Sequence, residues 1–312
     1  MTPIASEPST PHRLNPTDFT ARRTAFSKLH EAGFFVIPNP WDAGTARYLR
    51  SLGFKALATT SSGFAFTQGL PDAEWAVPRN LALQHIASIV AAVDLPINAD
   101  FESGYAHEPQ AVAENVRLCI ATGVAGLSIE DATGNPAHPL YDLPLAVERI
   151  KAARAAIDAS GTGVLLTARA ECYLVGHPDP LRESIRRLEA YAEAGANVLY
   201  APGPTSRADI EAIVSAVHPK PVNVLLTSSA GLSLAELADI GVRRVSVGSS
   251  LARTAWTGFV HAARAIANES SMAGLDNAVT FGELNTFFHK DLAGRAIEEG
   301  DKSQSWTSPQ KP

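Results

Sequence analysis

The chain is nearly devoid of cysteine, with only Cys119 and Cys172 in 312 residues. A disulfide scaffold is therefore excluded, and a reducing compartment fits better. No block of basic residues occurs and the net charge is −6, which argues against a nucleic-acid partner. The most apolar stretch, residues 81–97, is interrupted by Gln84, His85 and Asp94, so no membrane span is expected. No basic segment followed by an apolar run opens the chain, so no signal peptide is expected. These absences lead to the expectation of a soluble, cytoplasmic protein with no membrane partner. No Gly-x-Gly-x-x-Gly follows the first apolar run, which removes a dinucleotide fingerprint. No His-x-His pair is present, which disfavours a zinc hydrolase.

What is there is a large apolar content, 46% against 19% charged residues, enough for a sizeable core. Residues 1–20 are rich in Pro, Ser and Thr and read as a flexible leader, as do residues 301–312 at the other end. Residues 21–300 read as a single domain. Within it, short apolar runs recur at 34–37, 56–60, 95–100, 126–130, 164–169, 197–201, 222–226 and 244–248. Ala/Leu/Arg/Glu-rich helical stretches separate them. Strict alternation predicts parallel strands buried on both faces. Eight such units predict an α/β fold of the closed (β/α)₈ TIM-barrel type rather than an open doubly wound sheet. Gly53, Gly123, Gly195 and Gly241 each stand where a helix would end. A further helical segment, residues 281–299, is left over after the eighth unit.

In such barrels chemistry sits at the C-terminal ends of the strands. The third run ends Asn98-Ala99-Asp100-Phe101-Glu102. Positions two apart on a strand share a face, so Asp100 and Glu102 are expected to converge. The fourth ends Ser128-Ile129-Glu130-Asp131, and the loop after the second run carries Asp72. Carboxylates gathered without a lysine repel one another, and a hard cation relieves that. Magnesium, with manganese as its substitute, is the expected metal, held by Asp100, Glu102, Glu130 and Asp72. Asp131 reads instead as a helix cap.

Arg169 ends the fifth run, where its planar fork suits a carboxylate substrate; a structural ion pair with Glu171 or Glu130 is the competing reading. Thr60, Ser61 and Ser62 close the second run and offer hydroxyl and N–H donors. Asn223 on the seventh faces inward by parity, either as a satisfied amide or as a ligand contact. His138, in the loop after the fourth run, is a candidate for proton transfer. A Schiff-base aldolase needs a lysine at a strand's C-terminal end, and none of Lys28, Lys55, Lys151, Lys220, Lys290, Lys302 and Lys311 is placed there.

Over residues 34–264 the chain resembles the isocitrate lyase/phosphoenolpyruvate mutase superfamily. The resemblance is carried by Asn39-Pro40-Trp41-Asp42-Ala43-Gly44-Thr45-Ala46-Arg47, Gly69-Leu70-Pro71-Asp72, Asp100-Phe101-Glu102-Ser103-Gly104-Tyr105, Ile129-Glu130-Asp131 and Thr167-Ala168-Arg169. It implies that Asp100 is the direct Mg²⁺ ligand and that Glu102, Glu130 and Asp72 hold the metal mostly through water. It implies Arg169 on the substrate carboxylate, Thr60 and Ser61 at the oxo-acid end, and Asn223 as a substrate contact. It also implies a homo-oligomer, a dimer or tetramer whose terminal helix swaps between subunits.

The departures bear on the reaction. Lyases of this family carry a Lys-[Lys/Arg]-Cys-Gly-His gate after the fourth strand, and the mutase keeps a lysine there. This chain has Ala132-Thr133-Gly134-Asn135-Pro136-Ala137-His138-Pro139-Leu140. What survives is the apparatus for stabilising an enolate. The expected activity is a magnesium-dependent carbon–carbon lyase or decarboxylase on a small 2-oxo or 2-hydroxy acid, with Glu130, Arg169 and His138 as the catalytic set. C–P bond chemistry on phosphonopyruvate and a non-catalytic oxo-acid-binding paralogue are the alternatives.

Overall fold

The computed structural model describes residues 16–229 and 231–304. Eight short strands alternate with helices among them: β1 (Phe35–Ile37), β2 (Leu57–Ala58), β3 (Ile97–Asp100), β4 (Gly126–Glu130), β5 (Leu165–Arg169), β6 (Val198–Tyr200), β7 (Val222–Leu225) and β8 (Arg244–Ser246). All pair in parallel, in the order β1-β8-β7-β6-β5-β4-β3-β2. Ala58 donates its N–H to the Pro38 carbonyl at 3.1 Å, a backbone bond across the remaining gap between β2 and the end of β1. The result is the expected (β/α)₈ barrel, nearly closed.

The intervening helices are α2 (Ala43–Ser51), α3 (Ser61–Thr67), α4 (Arg79–Ala92), α5 (Pro109–Ala121), α6 (Leu143–Ser160), α7 (Pro180–Glu193), α8 (Arg207–Val217) and α9 (Leu234–Ile240). They bury the outward strand faces: Ile97, Ala99, Leu127, Ile129, Leu166, Ala168, Leu199, Val222, Val224 and Val245 lie in one apolar cluster with the helices. The inward faces differ from the uniformly apolar strands read from sequence. Asn98, Asp100, Ser128, Glu130, Arg169, Asn223, Arg244 and Ser246 all line the interior cavity. Their neighbours on the strand are apolar, so the strands alternate after all, because the inside of this barrel is a site rather than a packed core.

Helix α1 (Pro16–Glu31) precedes the barrel. The leader expected over residues 1–20 is thus corrected: helix begins at Pro16, once Phe19, Phe26 and the basic residues have partners in the barrel. Phe26 packs with Phe35, Ile37, Ala56, Ala58 and Ala125. Arg22 donates to the Val90 carbonyl at 3.0 Å and Arg23 to that of Val124 at 3.0 Å. Arg23 also reaches the Ile120 carbonyl at 3.3 Å. These guanidiniums satisfy carbonyls at or just beyond the C-terminal turns of α4 and α5, which the helices cannot satisfy themselves. The remainder of the expected leader, residues 1–15, lies outside the described residues. At the other end helix continues to Gln304, so the tail read from residue 301 starts at least four residues too early; residues 305–312 are outside the described set.

His30, on the last turn of α1, is buried. Its Nδ1 bonds the Phe26 carbonyl at 2.8 Å, and its ring meets Phe26 and Phe35 edge-on. Burial first, then the charge of Arg244, push its pKa down to about 3. The folded protein therefore keeps His30 neutral where the unfolded chain, titrating near 6.5, takes up a proton. The associated stability is complete above pH 6.5 and drains away as pH falls toward 3. Between pH 7 and pH 5 this amounts to about 2 kcal/mol. Urea unfolding of wild type and His30→Asn should show their stability gap narrowing by about that amount between the two pH values; a constant gap would refute a neutral native His30.

The chain divides into two compact units, Met1–Arg253 and Thr254–Pro312. The first holds the barrel. The second comprises most of α10 (Ser250–Glu269), a short 3₁₀ turn (Ala273–Leu275) and α11 (Phe281–Gln304).

Candidate active site

A cavity of about 350 Å³ opens inside the barrel at the C-terminal strand ends. Asp72, Asp100, Glu102, Glu130, Arg169, Thr60, Ser61, Ser62 and Asn223, all singled out from sequence, line it. Its centre is Arg169. Nη1 of this arginine lies 2.8 Å from Asp100 Oδ1 and 3.0 Å from Glu130 Oε2, and Nε lies 2.8 Å from Glu171 Oε1. The ion-pair reading of Arg169 is thus present in the geometry, while Nη2 has no hydrogen-bond partner among the described residues. The guanidinium also stands over the Tyr200 ring at 5.2 Å. Register explains the convergence, since Glu130 and Arg169 are paired positions on β4 and β5.

Asp100 is held from the other side by the first residue of α3. Ser61 donates to its Oδ2 through both N–H (2.9 Å) and Oγ (2.7 Å). Thr60 is the N-cap of α3, accepting from the Gly63 N–H at 3.1 Å. The N-terminus of α3 thus points at a carboxylate, as its dipole favours. In this arrangement the Ser61 donors expected on substrate serve Asp100 instead.

Glu102 reaches the cavity by a route that alternation does not describe. The strand ends at Asp100, and Glu102 takes a left-handed conformation, φ +47. Its carboxylate accepts from the Trp75 N–H at 2.9 Å and from the Tyr105 hydroxyl at 2.7 Å. Trp75 and Tyr105 are themselves left-handed, φ +52 and +55. Three strained non-glycine residues fastened to one another mark a locally over-determined site. Burial raises the Glu102 pKa to about 7, with Asp100 and Asp72 adding repulsion against the two hydrogen bonds. Burial likewise raises Asp72, with Asp100 behind it, and lifts Glu130 well above the ordinary range despite Arg169.

Asp131 is not a helix cap. It is buried, accepting from Arg187 Nη1 at 3.0 Å, Tyr191 Oη at 2.5 Å and the Glu171 N–H at 2.8 Å. Facing outward from β4, it anchors the residue that in turn holds Arg169.

His138 is corrected most clearly. It is exposed and lines a neighbouring hollow with Glu74, His107, Asn135 and Tyr141, not the main cavity. The loop after β4 folds on itself through an Ala132–Leu140 bridge. That closure leaves Ala132 and Gly134 on the cavity and carries His138 away from it. Asn223 is already engaged, donating to Ser246 Oγ at 3.0 Å and accepting from Arg244 at 2.8 Å. Arg244, Tyr200, Glu171 and Glu74 also line the cavity and were missed. Inward parity with Ser246 on β8 was the available signal for Arg244.

Among the described residues no three His, Cys, Asp or Glu side chains are grouped closely enough to form a ready-made metal site. The donor set nevertheless fits a hard cation. Six carboxylates (Asp72, Glu74, Asp100, Glu102, Glu130 and Glu171) face two guanidiniums around one cavity. Magnesium keeps several waters and takes only one or two carboxylates directly, so it does not require three converged ligands.

Residues 26–267 match the protein family described as phosphoenolpyruvate phosphomutase. An uncharacterised protein of Mycobacterium tuberculosis is 32% identical over 262 residues, spanning 83% of this chain and 94% of that protein. Oxaloacetate decarboxylase of Paraburkholderia xenovorans is 28% identical over 246 residues, 76% of this chain and 77% of the enzyme. A crystal structure of a provisional lyase/mutase from Burkholderia cenocepacia J2315 superposes with a TM-score of 0.83 at 47% identity, covering 87% of this chain and 98% of that one.

Proposed function

This chain belongs to the phosphoenolpyruvate phosphomutase family, within the isocitrate lyase/PEP mutase superfamily, and from that premise we propose that it is a magnesium-dependent decarboxylase or carbon–carbon lyase of a small 2-oxo or 2-hydroxy acid. Characterised relatives include lyases, a decarboxylase and a phosphorylmutase. The observation that carries the choice among them is the cavity lining: among the described residues it contains no Cys, His or Lys. Retro-aldol cleavage and C–P chemistry in this family lean on such groups. Decarboxylation of a 2-oxo diacid starts without a base. Its C3–C4 bond breaks, CO₂ departs, the electron pair enters the C2–C3 enolate, and water protonates C3.

Asp100, Glu102, Glu130 and Asp72 would hold Mg²⁺, or Mn²⁺ in its place. When bound, that cation supplies charge stabilisation for the oxygen that becomes negative as the C–C bond breaks. Arg169 offers Nη2 to the substrate carboxylate while Nη1 and Nε fix the guanidinium plane, which is the preorganisation such stabilisation needs. Glu171, braced by Asp131, keeps Arg169 from following its substrate out. Thr60 and Ser62 add donors at the rim, and Asn223 closes the inner wall. With His138 outside the cavity, proton return falls to water.

Membership of a phosphomutase family favours a second reading, phosphoryl transfer or C–P hydrolysis, against which the loop 132–140 contains no lysine. The apolar side chains exposed on α10 and α11, among them Trp256, Phe259, Phe281 and Phe288, support a homo-oligomer with exchanged terminal helices. No described helix is long and apolar enough to cross a membrane, and a cytoplasmic location is part of the proposal.

The test is a panel of 2-oxo and 2-hydroxy acids and diacids plus phosphonopyruvate, with Mg²⁺, with Mn²⁺ and in EDTA, on protein whose mass is read by light scattering. Turnover of a 2-oxo diacid that stops in EDTA and returns with metal is expected. Undiminished turnover in EDTA would reject the mechanism, and phosphate release from phosphonopyruvate would install the second reading. Oxalate binding without turnover of anything would make the protein a non-catalytic oxo-acid binder.

A further inference from the structure

Arg244 is a buried cation without an acidic partner among the described residues. It enters the barrel from β8, and its three nitrogens reach only neutral groups. Nε donates to Asn223 Oδ1 at 2.8 Å, Nη2 to Thr167 Oγ1 at 3.2 Å, and Nη1 lies 3.4 Å from His30 Nε2. Because His30 Nδ1 faces the Phe26 carbonyl, that nitrogen carries the proton and Nε2 is left to accept from Arg244. Thr167 stands on β5 and Asn223 on β7, so the guanidinium spans the barrel interior as a floor. His30 of α1 lies against it, and the cavity that contains Arg169 opens onto it.

This placement is costly on its own. Barrel interiors are ordinarily filled with branched apolar side chains, and a buried charge without a counterion is destabilising. Burial indeed pulls Arg244 down to about 10, still charged at neutral pH. Its neighbours orient the fork without neutralising it, and Ser246 fixes the Asn223 amide from behind. Arg169 is different in kind, since three carboxylates already surround it. A guanidinium held in one orientation, uncompensated and facing a cavity, is what a carboxylate ligand requires.

We infer that Arg244 is a second anion-binding position at the cavity floor, which receives the distal carboxylate of a diacid whose other end lies at Arg169, a carboxylate retained in carbon–carbon lysis of a 2-hydroxy diacid and not one lost as CO₂. The inference rests on the oxo-acid reading of the site and names its substrate class more narrowly. The spacing is suitable: Thr167 and Arg169 are two residues apart on β5, roughly 6–7 Å along the strand, a gap that an extended four-carbon diacid bridges. A substrate with a methyl group in place of the distal carboxylate leaves the charge unanswered.

Calorimetric titration of Mg²⁺-loaded protein with oxalate, malate and 2-hydroxybutyrate tests this, because malate and 2-hydroxybutyrate differ only in the distal group. Wild type is expected to prefer malate by about tenfold or more, the scale of a charge-assisted hydrogen bond. Arg244→Gln should erase that preference while leaving oxalate affinity within about threefold, and Arg244→Lys should retain part of it. An equal affinity of wild type for the two acids, or an undiminished preference in Arg244→Gln, would overturn the assignment and leave Arg244 as a cross-brace. Equal wild-type affinity for the two acids overturns the assignment even if the glutamine variant does not fold, and Arg244→Lys then supplies the variant comparison. Failure of oxalate to bind wild type would instead remove the oxo-acid reading beneath it.

Discussion

Arg169→Met should lower turnover by about 10²–10³-fold, the usual consequence of deleting one preorganised charge-stabilising donor. The same substitution should destabilise the fold. It leaves Asp100, Glu130 and Glu171 facing one another without the guanidinium that now lies 2.8–3.0 Å from each. Breaking a buried ion pair from one side typically costs about 3–5 kcal/mol. Repulsion among the stranded carboxylates should also tighten cation binding, so Mg²⁺ should raise the melting temperature of Arg169→Met more than that of wild type. Arg169→Lys separates the two roles. It keeps the charge and so part of the stability, but loses the fork that grips a carboxylate while staying paired. Turnover within tenfold of wild type in both variants would remove Arg169 from the substrate.

Arg187→Met is expected to produce the largest loss of stability outside the cavity, about 3–5 kcal/mol at neutral pH in urea unfolding. Arg187 is the only cation on Asp131 among the described residues, at 3.0 Å, and it also bonds the Tyr141 carbonyl (2.9 Å) and Glu183 (2.7 Å). Without it a fully buried carboxylate keeps only Tyr191 and the Glu171 N–H. Asp131 is already raised by burial against the pull of Arg187, and the loss would raise it further. A carboxylate with a raised folded pKa takes up its proton more readily when folded, so the variant should recover part of its deficit as pH falls. Asp131→Asn in the Arg187→Met background should restore much of the stability, since the two side chains act as a unit. A deficit below about 1 kcal/mol would mean that Asp131 finds another partner. Because Asp131 braces Glu171, and Glu171 holds Arg169, the substitution should also weaken turnover without touching the cavity wall.

Much of the site was legible from strand ends. Asp100, Glu130 and Arg169 lie on or at the ends of regular strands, where a two-residue period and parallel register decide direction, and all three meet as expected. Glu102 lies two residues past the last strand position, where the period no longer applies; it arrives through a left-handed turn tied to Trp75 and Tyr105, residues about thirty positions apart in the chain. His138 was misplaced for a related reason. Its loop is longer than any periodic rule can follow, and an internal bridge turns the histidine outward. Ser61 showed the right neighbourhood and the wrong partner, because only proximity could reveal that Asp100 takes both of its donors.

By itself the sequence determined the eight-unit alternation, the closed parallel barrel and the gathering of acids opposite one arginine, because each follows from local periodicity and chain order. Tertiary structure alone decided which carboxylates Arg169 pairs with, that Asp131 is a buried brace, and that Arg244 crosses the interior with no acid to meet it among the described residues. Those are relations between side chains on different strands, set by register and burial. No window of consecutive residues contains them.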